Sequence, residues 1–311
     1  MTKKDILISV VIPTYNPDMS RLGQTIAGLR DQSLPFRNWE LIIVDNNSSE
    51  PLDIQLDWHP LHKIVRETRQ GLTWARLKGF EHASGAIIVL VDDDNILNRE
   101  YLQNAVDIMG SEGQLGAAGG KSLPLFEGSV PKWLGEFYGN LALRDLGEEV
   151  LLASWEDQYP LAAPIGAGMV VRKAALSGYI ERTTDINAVI ADRTGTNLSS
   201  GGDNDIVIEI LKSGWKVGYF PTLKLMHIIP AERTTVAYMA KLTNNIQKSW
   251  IGVLQKHGIN PWPLIPAWTV PLRKIKAWFL YGAFRSKKHY IKWRGACGMF
   301  DGLAKRTSEK A

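Results

Sequence analysis

The sequence predicts an α/β fold built around a mostly parallel central sheet. Short apolar runs at 7–14 and 41–45 are separated by a segment, 21–32, whose apolar residues recur at helical spacing. Strands that are apolar throughout are typical of parallel sheets covered by helices on both faces. Acidic residues end two of the apolar runs, at Asp45 and at 92–94. Ligands of such sheets gather at the carboxyl ends of the strands, so we expect the functional site there.

Length and composition narrow the possibilities. With 311 residues, the chain is long enough for one large α/β domain or two ordinary ones. Its single cysteine, Cys297, excludes an intrachain disulfide and a cysteine-based metal site. The sequence shows neither a signal-peptide pattern nor an apolar run long enough to span a bilayer. We therefore expect a protein of the cytoplasm.

The charge is distributed unevenly along the chain. The net charge is +4, but residues 261–311 carry 11 Lys and Arg against 2 Asp and Glu, which leaves a balance of −5 for residues 1–260. Nucleic-acid binding would require a basic face on the folded body and a recognisable binding motif. Neither is present in the sequence, so we expect no nucleic-acid partner.

The first third of the chain predicts a regular alternation of strands and helices. Strands are predicted over 7–14, 41–45, 63–65 and 87–91, and helices over 21–32 and 71–83. Pro13 should end the first strand, because proline cannot donate a hydrogen bond to the ladder.

Three consecutive carboxylates, Asp92, Asp93 and Asp94, follow the apolar run 87–91. Charged groups do not share a buried strand interior, so they belong at its tip. They repel one another unless solvent or a cation offsets their charge, and oxygen ligands suit Mg²⁺ or Mn²⁺. Since Mg²⁺ usually also binds substrate phosphates, the cluster indicates a metal-bound nucleotide diphosphate. The alternative is an acidic turn that caps a helix beginning near Asn98.

The pattern is looser in the second half. We predict a helix over 101–110, a flexible small-residue segment over 116–120, an irregular aromatic-rich stretch over 123–153, a loop over 164–168 leading into a strand, a polar loop over 181–202, a helix over 203–212, and strands over 215–221 and 223–227. Asp203 or Asp205 is well placed to cap the 203–212 helix. His227 lies at the end of the last strand.

Six segments, in this order along the chain, together resemble the family 2 glycosyltransferases. They are 10–16, 42–48, 71–76, 91–95, 202–205 and 224–227. The resemblance spans roughly residues 7–235 and implies the GT-A fold, an α/β sandwich around one sheet. It also implies a nucleotide-sugar donor, a divalent metal and inversion at the anomeric carbon. Residues 1–240 would then be the catalytic domain, with a nucleotide-binding half over 1–120 and an acceptor-binding half over 121–240. Residues 241–311 would form a helical extension.

The resemblance assigns residues to the nucleotide. Pro13, Tyr15 and Asn16 are similar to the loop that lines the nucleotide pocket. Asp45 is similar to the acid that accepts a hydrogen bond from the base, although Asn46 and Asn47 replace the acid and glycine that commonly follow it. Arg76 matches a basic residue near the nucleotide.

The resemblance also assigns the metal and the sugar. Asp92, Asp93 and Asp94 match the DxD motif, with Asp92 towards the ribose and Asp94 on Mn²⁺ or Mg²⁺. His227 matches the family's further metal ligand, and imidazole suits Mn²⁺ better than Mg²⁺. The remaining assignments are Gly166, Ala167 and Gly168 beside the donor sugar, where the alternative is a simple turn, and Arg233 on the diphosphate, where the alternative is a surface arginine.

Inverting transfer needs a base that deprotonates the acceptor hydroxyl. By resemblance Asp203 aligns with the catalytic acid, although Gly202 replaces the family's usual Glu before it. Asp205 is the competing candidate. The alternative for both is a helix N-cap that satisfies backbone donors.

Aromatic and basic residues alternate over 262–300. Helices with tryptophan on one side and Lys or Arg on the other lie in the plane of a membrane and are attracted to anionic lipid. We therefore expect this region to contact a membrane surface. The alternative is that the aromatic residues pack back onto the catalytic domain.

The residues and the resemblance together predict an inverting, metal-dependent glycosyltransferase. The donor would be a nucleotide-diphosphate sugar, with UDP favoured, and the acceptor a polysaccharide or lipid-linked glycan. The first alternative is a sugar nucleotidyltransferase, but no Gly-rich, lysine-bearing phosphate loop follows the first strand. The second is a non-catalytic glycan- or lipid-binding subunit with the same fold.

Overall fold

A computed structural model describes residues 6–183, 185 and 201–305. The described chain forms two compact units. Residues 6–125, 142–183, 185 and 202–228 form the first, and residues 126–141, 201 and 229–305 form the second. The expected functional division at residue 240 stays a prediction, while the compact units themselves change between residues 228 and 229.

The elements follow the predicted order closely. The strands are β1 Ile8–Thr14, β2 Trp39–Asp45, β3 His62–Arg66, β4 Ile87–Leu90, β5 Asn95–Leu97, β6 Leu115–Phe126, β7 Leu151–Ala153, β8 Val170–Arg172 and β9 Lys216–Ile229. The helices are α1 Met19–Arg30, α2 Leu72–His82, α3 Tyr101–Ser111, α4 Ser177–Arg182, α5 Gly202–Lys212, α6 Val236–Lys256, α7 Val270–Leu280 and α8 Lys287–Leu303.

The strands form one mixed sheet. Its order is β3-β2-β1-β4-β8-β6-β9-β5, and β7 pairs with β9. Strands β1 to β4 pair in parallel, whereas β8 runs antiparallel to β4 and to β6, and β5 and β7 run antiparallel to β9. The α/β class is confirmed. Strand β6 runs in the same direction as β1 to β4, because it is antiparallel to β8 and β8 is antiparallel to β4.

Both faces of β1, β2 and β4 are buried, as their continuous apolar runs predict, whereas β3 at the edge of the sheet alternates between exposed and half-buried residues. Along β1, Ile8, Val10 and Ile12 contribute to one buried cluster, while Val11 contributes to another on the opposite face. Successive side chains of a strand point to opposite faces, so one apolar run supplies both layers. The sheet is therefore a rigid platform whose strand ends carry the polar residues.

Pro13 does not end β1, contrary to the prediction. The strand continues to Thr14, and Pro13 pairs in register with Val44. The pairing of β1 with β4 stops at Val11 and Leu90, and the Val11 carbonyl accepts from the Val91 amide (3.0 Å). Residues alternate sides along a strand, so the nitrogen of Pro13 faces the side where the ladder has already ended. No ladder hydrogen bond is lost there.

We predicted a flexible segment over 116–120. These small residues instead form part of β6. A Cβ on Gly120 would collide with the carbonyl oxygens of Phe220 and Leu223 on β9. Glycine here permits close approach between neighbouring strands. The 123–153 stretch also contains the end of β6 and all of β7, and the two strands predicted over 215–227 are the single strand β9. The predicted polar loop lies mostly at 184 and 186–200, outside the described residues.

The second unit is helical in its C-terminal part, as expected for the extension. Helices α6 and α8 pack closely at two glycines of α8. A Cβ on Gly298 would collide with the backbone of Asn244, and one on Gly295 would lie 3.0 Å from Thr243 Cγ2. Across the part of the chain that the structure describes, no helix combines the length and apolar character needed to cross a membrane.

Candidate functional site

The candidate site lies in the first unit, at the carboxyl ends of the parallel strands. Thr14 and Asp45 are paired at the ends of β1 and β2. Beyond β4 the chain turns at Asp92–Asp94, and the Thr14 hydroxyl donates a hydrogen bond to the Asp93 carboxylate. The acids that follow β2 and β4, the two strands that flank β1, thus share one edge of the sheet, as the sequence predicts.

Asp45 is buried and orders the loop that follows β2. Its Oδ1 accepts from the Ser48 amide (2.8 Å), and its Oδ2 lies 3.9 Å from Arg66 Nε. The Ser48 hydroxyl in turn accepts from the Asn16 amide (2.9 Å), and Asn16 Oδ1 accepts from the Ser49 amide (2.9 Å). These bonds join the loops after β1 and β2 into one polar wall.

The predicted nucleotide loop after β1 is open to solvent. Tyr15 and Asn16 are exposed, while Pro13 is buried within the strand. Asn16 adopts a left-handed backbone conformation (φ +45°), which asparagine tolerates better than most residues. The loop therefore offers an aromatic ring and an amide next to Asp45, a combination suited to holding a base and a ribose.

Asn46 is a residue of this site that the sequence analysis did not single out. Its side chain is buried, donates to the carbonyl of Arg69 (2.7 Å), and accepts from the amide of Gly71 (2.7 Å). Gly71 directly precedes α2, so Asn46 anchors the helix that carries Arg76 to the end of β2. The signal was present in the sequence, because Asn46 departs from the acid usual at that position.

The Asp92–Asp94 turn leads straight into β5. Asp92 and Asp93 are half-buried, whereas Asp94 is buried and its Oδ1 accepts from Asn95 Nδ2 (3.1 Å). Asn95 pairs in register with His227 on β9, and the Ile228 amide donates to the Asp94 carbonyl (2.9 Å). The antiparallel pairing of β5 with β9 thereby brings His227 to the acidic turn.

Asp94 and His227 form the part of the site best suited to a cation. Asp94 Oδ1 lies 3.3 Å from His227 Nε2, and both side chains are buried. Two ligands that share an ion at about 2.1 Å and a right angle are themselves roughly 3 Å apart. The pair therefore fits a divalent ion, although without one the same distance also permits a direct hydrogen bond. Among the described residues His227 Nδ1 is buried without a hydrogen-bond partner.

Arg76, Gly166 and Asp203 meet at a second point of the same unit. The Gly166 amide donates to Asp203 Oδ2 (3.0 Å). A Cβ on Gly166 would lie 2.9 Å from Arg76 Nη2 and 3.3 Å from Asp203 Oδ2. The small residue thus gives the guanidinium and the carboxylate access to the same loop. The structure brings these three predicted residues together.

Asp203 and Asp205 lie in the first turn of α5 but in different surroundings. Asp205 is fully buried, and its Oδ1 forms an ion pair with Arg182 Nη2 of α4 (2.6 Å). Arg182 also pairs with Glu209 one turn further along α5 (2.8 Å). Asp203 is half-buried and keeps a carboxylate oxygen at the 166 loop.

Tyr159 and Arg144 support this region and were not predicted. Burial raises the pKa of the Tyr159 hydroxyl, the nearby carboxylate of Asp203 raises it further, and a hydrogen bond with Asn204 opposes both. Arg144 donates to the carbonyls of Leu161 and Ala163, and so fixes the loop between Tyr159 and Gly166. Scattered loop residues of this kind have no periodic signature in the sequence.

The glycine at position 168 is explained by its backbone conformation and by packing in the core. It has a φ of +71°, and a Cβ there would lie 2.5 Å from Leu225 Cδ2 and 2.7 Å from the Tyr101 hydroxyl. Tyr101 also donates a hydrogen bond to the Gly168 carbonyl. The backbone conformation and the neighbouring side chains explain the glycine, whatever its relation to a donor sugar. Arg233 lies on a short 3-10 helix of the second unit, Ala231–Thr234, and its assignment stays a prediction.

Comparison with known proteins finds a family match in the first part of the chain. A family model described as "Glycosyl transferase family 2" matches residues 9–140. An Escherichia coli UDP-Glc:alpha-D-GlcNAc-diphosphoundecaprenol beta-1,3-glucosyltransferase, WfgD, is 26% identical over 108 residues, which is 34% of this chain and 42% of that protein. An "inactive polypeptide N-acetylgalactosaminyltransferase-like protein 5" from Macaca fascicularis is 24% identical over 249 residues, 76% of this chain and 55% of that protein. The chain thus spans about half the length of these curated relatives, or less.

A solved structure agrees in fold. S. aureus TarS 1-349 in complex with UDP-GlcNAc superposes with a TM-score of 0.53 at 14% identity, covering 94% of this chain and 91% of that one. At this identity the likeness speaks for the fold alone. Residues 9–140, less than half of the chain, match the family model, and the mixed sheet and the likeness to TarS support the fold. These findings support a family 2 glycosyltransferase with a GT-A fold.

Proposed function

We propose that this protein is an inverting, metal-dependent glycosyltransferase that uses a nucleotide-diphosphate sugar, preferentially a UDP-sugar. The observation that carries the proposal is the buried pair of Asp94 Oδ1 and His227 Nε2, 3.3 Å apart, beside the half-buried Asp92 and Asp93 at the strand ends. An acidic turn with only a structural role needs no buried histidine from β9. A site for a cation and a diphosphate requires both the acids and the histidine.

The donor side of the reaction falls to the two loops after β1 and β2. Asp45, Tyr15 and Asn16 would hold the base and ribose, and Arg76 would bind a phosphate or the sugar next to Gly166. A divalent ion on Asp94 and His227 would neutralise the charge that develops on the leaving diphosphate. The likeness to a protein solved with UDP-GlcNAc is consistent with a uridine donor.

Asp203 is our proposed base. Its carboxylate would take the proton from the acceptor hydroxyl as that oxygen attacks the anomeric carbon from the side opposite the departing nucleotide. The Gly166 amide holds Oδ2 in place (3.0 Å), so the other oxygen, Oδ1, remains for the proton. Asp205 is less suited, because its Oδ1 is already paired with Arg182 in a fully buried position.

For the acceptor we propose a growing polysaccharide or a lipid-linked glycan. The matched Escherichia coli protein carries a diphosphoundecaprenol glycan in its name, which is consistent with such an acceptor. We further propose that residues 1–240 carry the transfer reaction and that the protein works in the cytoplasm, at the inner face of the cell membrane, with 262–300 as the contacting region.

A non-catalytic binding role is the second candidate. It is favoured by one observation, the similarity over 76% of this chain to a protein whose name calls it inactive. The presence of Asp92, Asp94, Asp203 and His227 together is the argument against it, since a binding subunit has no need for a positioned base. The two candidates differ in a direct assay of sugar transfer.

Thermal unfolding with added nucleotide tests the donor site. The purified protein would be melted with Mn²⁺ and, separately, UDP, GDP, dTDP or CMP, each with and without the metal. A ligand that binds only the folded state at a hundredfold excess over its dissociation constant stabilises it by about 2.7 kcal/mol. We expect a metal-dependent rise of the midpoint with UDP, and no rise in Asp94→Asn or His227→Gln.

The control is Asp107→Asn, which removes an exposed acid of α3. This variant should keep the full UDP shift. A wild-type protein whose midpoint responds to none of the four nucleotides would overturn the transferase proposal. A shift that survives both Asp94→Asn and His227→Gln would instead overturn the assignment of the metal to this pair.

A further inference from the structure

Helix α7 presents an apolar stripe to solvent. Leu272, Ile275 and Phe279 are 63%, 57% and 67% exposed, and Trp268, one turn before the helix proper, is 76% exposed. Their spacing of four, three and four residues places all of them on one face of a helix. Leu280 and Phe284 extend the exposed apolar surface at the end of α7 (74% and 63%). Single exposed apolar residues are ordinary, but a contiguous stripe of this kind marks an interaction surface.

The opposite face of α7 is held firmly within the second unit. Val270 and Ala277 are buried. The ring of Trp278 meets that of Trp293 on α8 edge-on, with centroids 4.7 Å apart, and Trp293 Nε1 donates to the Lys274 carbonyl (3.0 Å). The aromatic residues of 262–300 therefore divide into two sets: one packs between α7 and α8, and the other faces outward on a fixed helix.

The surroundings of the stripe are uniformly basic. Residues 262–290 contain six Lys and Arg and no Asp or Glu. Arg273 and Lys276 on α7 are exposed beside the stripe, and Arg285 and Lys287 follow it. Lys274 is different, since its ammonium pairs with Asp301 on α8 (2.7 Å). Four exposed cations thus surround a row of large apolar side chains.

We propose that α7 docks on an anionic lipid bilayer, with Trp268, Leu272, Ile275 and Phe279 inserted among the headgroups. Amphipathic helices of this composition lie in the interfacial plane, where their apolar side chains reach about 5–10 Å into the boundary with the acyl chains. The flanking cations face the lipid phosphates, and their aliphatic stems cover the edge of the apolar stripe. The proposal specifies the membrane contact of the proposed function and rests on that function for its biological purpose. Its test does not require transferase activity.

Charge distinguishes lipid from a second copy of the chain as the occupant. A two-fold interface brings the same patch of both subunits together, so Arg273 and Lys276 of one copy would lie close to those of the other. The sequence offers no acid over 262–290 to compensate this repulsion. An anionic bilayer supplies the opposite charge and the apolar interior at once.

Co-sedimentation with lipid vesicles tests the proposal on the full-length protein without any nucleotide. The vesicles would be pure phosphatidylcholine or a 3:1 mixture, roughly, of phosphatidylcholine and phosphatidylglycerol, as a source of anionic lipid. We expect binding to the mixed vesicles that weakens with salt and falls at least tenfold in Leu272→Asp/Phe279→Asp. Arg273→Gln/Lys276→Gln should weaken binding to the mixed vesicles only.

The matched control is Val150→Asp/Leu161→Asp, which adds the same two negative charges at exposed apolar positions of the first unit (53% and 73% exposed). This variant should lose less than threefold. Equal losses in both double variants, or no wild-type binding to anionic vesicles, would overturn the proposal. So would a wild-type dimer in light scattering that Leu272→Asp/Phe279→Asp abolishes, because the stripe would then be a self-association surface. The UDP-dependent rise in melting temperature is measured separately, so failure of one proposal does not imply failure of the other.

Discussion

Asp205 and Arg182 form an ion pair of 2.6 Å in which the carboxylate is fully buried. Asp203, two residues earlier on the same helix, instead accepts from the Gly166 amide and remains half-buried. Two acids in one helical turn thus have different partners, because the side chains of residues i and i+2 do not share a face of a helix. This difference separates a structural acid from a candidate base.

Asp205→Asn should therefore mainly affect stability. The substitution removes the charged partner of Arg182 Nη2 and leaves the ion pair of Arg182 with Glu209. Leaving part of a buried charged hydrogen-bonding group unsatisfied costs about 2 kcal/mol, so we expect the free energy of unfolding to fall by that amount. Urea denaturation of Asp205→Asn, Arg182→Gln and the double variant measures the coupling of the pair. Unchanged stability together with lost sugar transfer would instead make Asp205 the candidate base.

Asp203→Asn should slow transfer strongly while sparing the fold. An amide cannot take the acceptor proton, and a positioned general base contributes about 10²–10⁴ in rate. We expect kcat to fall within that range, with the UDP-dependent rise in melting temperature retained. The assay is release of nucleotide diphosphate with donor and acceptor present, and Asp107→Asn serves as the control. Wild-type kcat in Asp203→Asn would remove this residue from the mechanism.

Gly166→Ala should displace the Asp203 carboxylate or the Arg76 guanidinium from the loop that they share. The added Cβ would lie 2.9 Å from Arg76 Nη2 and 3.3 Å from Asp203 Oδ2, so one of these groups must move. We expect a loss of transfer of at least about tenfold, because small misplacements of catalytic groups are costly. Gly110→Ala on α3 is the matched control, since a Cβ there meets no atom within 4 Å. Equal activity of the two variants would show that the 166 loop does not bear on the reaction.

His59 makes the stability of the first unit depend on pH. Burial and, to a smaller extent, the neighbouring His62 lower the pKa of His59 from 6.5 to about 4, against the opposing effects of the Leu61 amide and Glu40. The ring packs against Trp39 with centroids 4.1 Å apart. Between these pKa values the unfolded chain binds a proton that the folded chain does not, so stability falls as pH drops from about 6.5 to 4.

The expected size of this effect is about 3 kcal/mol, since each unit of pKa difference corresponds to 1.36 kcal/mol. Denaturant unfolding at pH 7, 6, 5 and 4 measures it. His59→Gln should flatten the dependence over this range, whereas His82→Gln, which changes a half-buried histidine at the end of α2, should leave it intact. The same slope in His59→Gln as in the wild type would contradict the assignment.

Most of the first half of the fold was predictable from local pattern. The predicted strands at 7–14, 41–45 and 63–65 and the helix at 71–83 match β1, β2, β3 and α2 to within three residues. Strands β1 and β2 are buried apolar runs, which short windows of sequence reveal. The prediction for 116–120 was wrong because its glycines allow close contact with β9. That strand lies about a hundred positions further along the chain, so a short window of sequence does not reveal the contact.

Local pattern was enough to name part of the site. Asp45 and the 92–94 cluster could be named because acids at the ends of apolar runs are a local signal. The roles of Asp203 and His227 were predicted from the family resemblance. How these residues combine depends on the tertiary structure. The β5 and β9 pairing joins Asp94 to His227, and the packing of α4 on α5 withdraws Asp205 from solvent. Such pairings depend on sheet order and register, which arise from contacts between residues distant in the chain and have no local period.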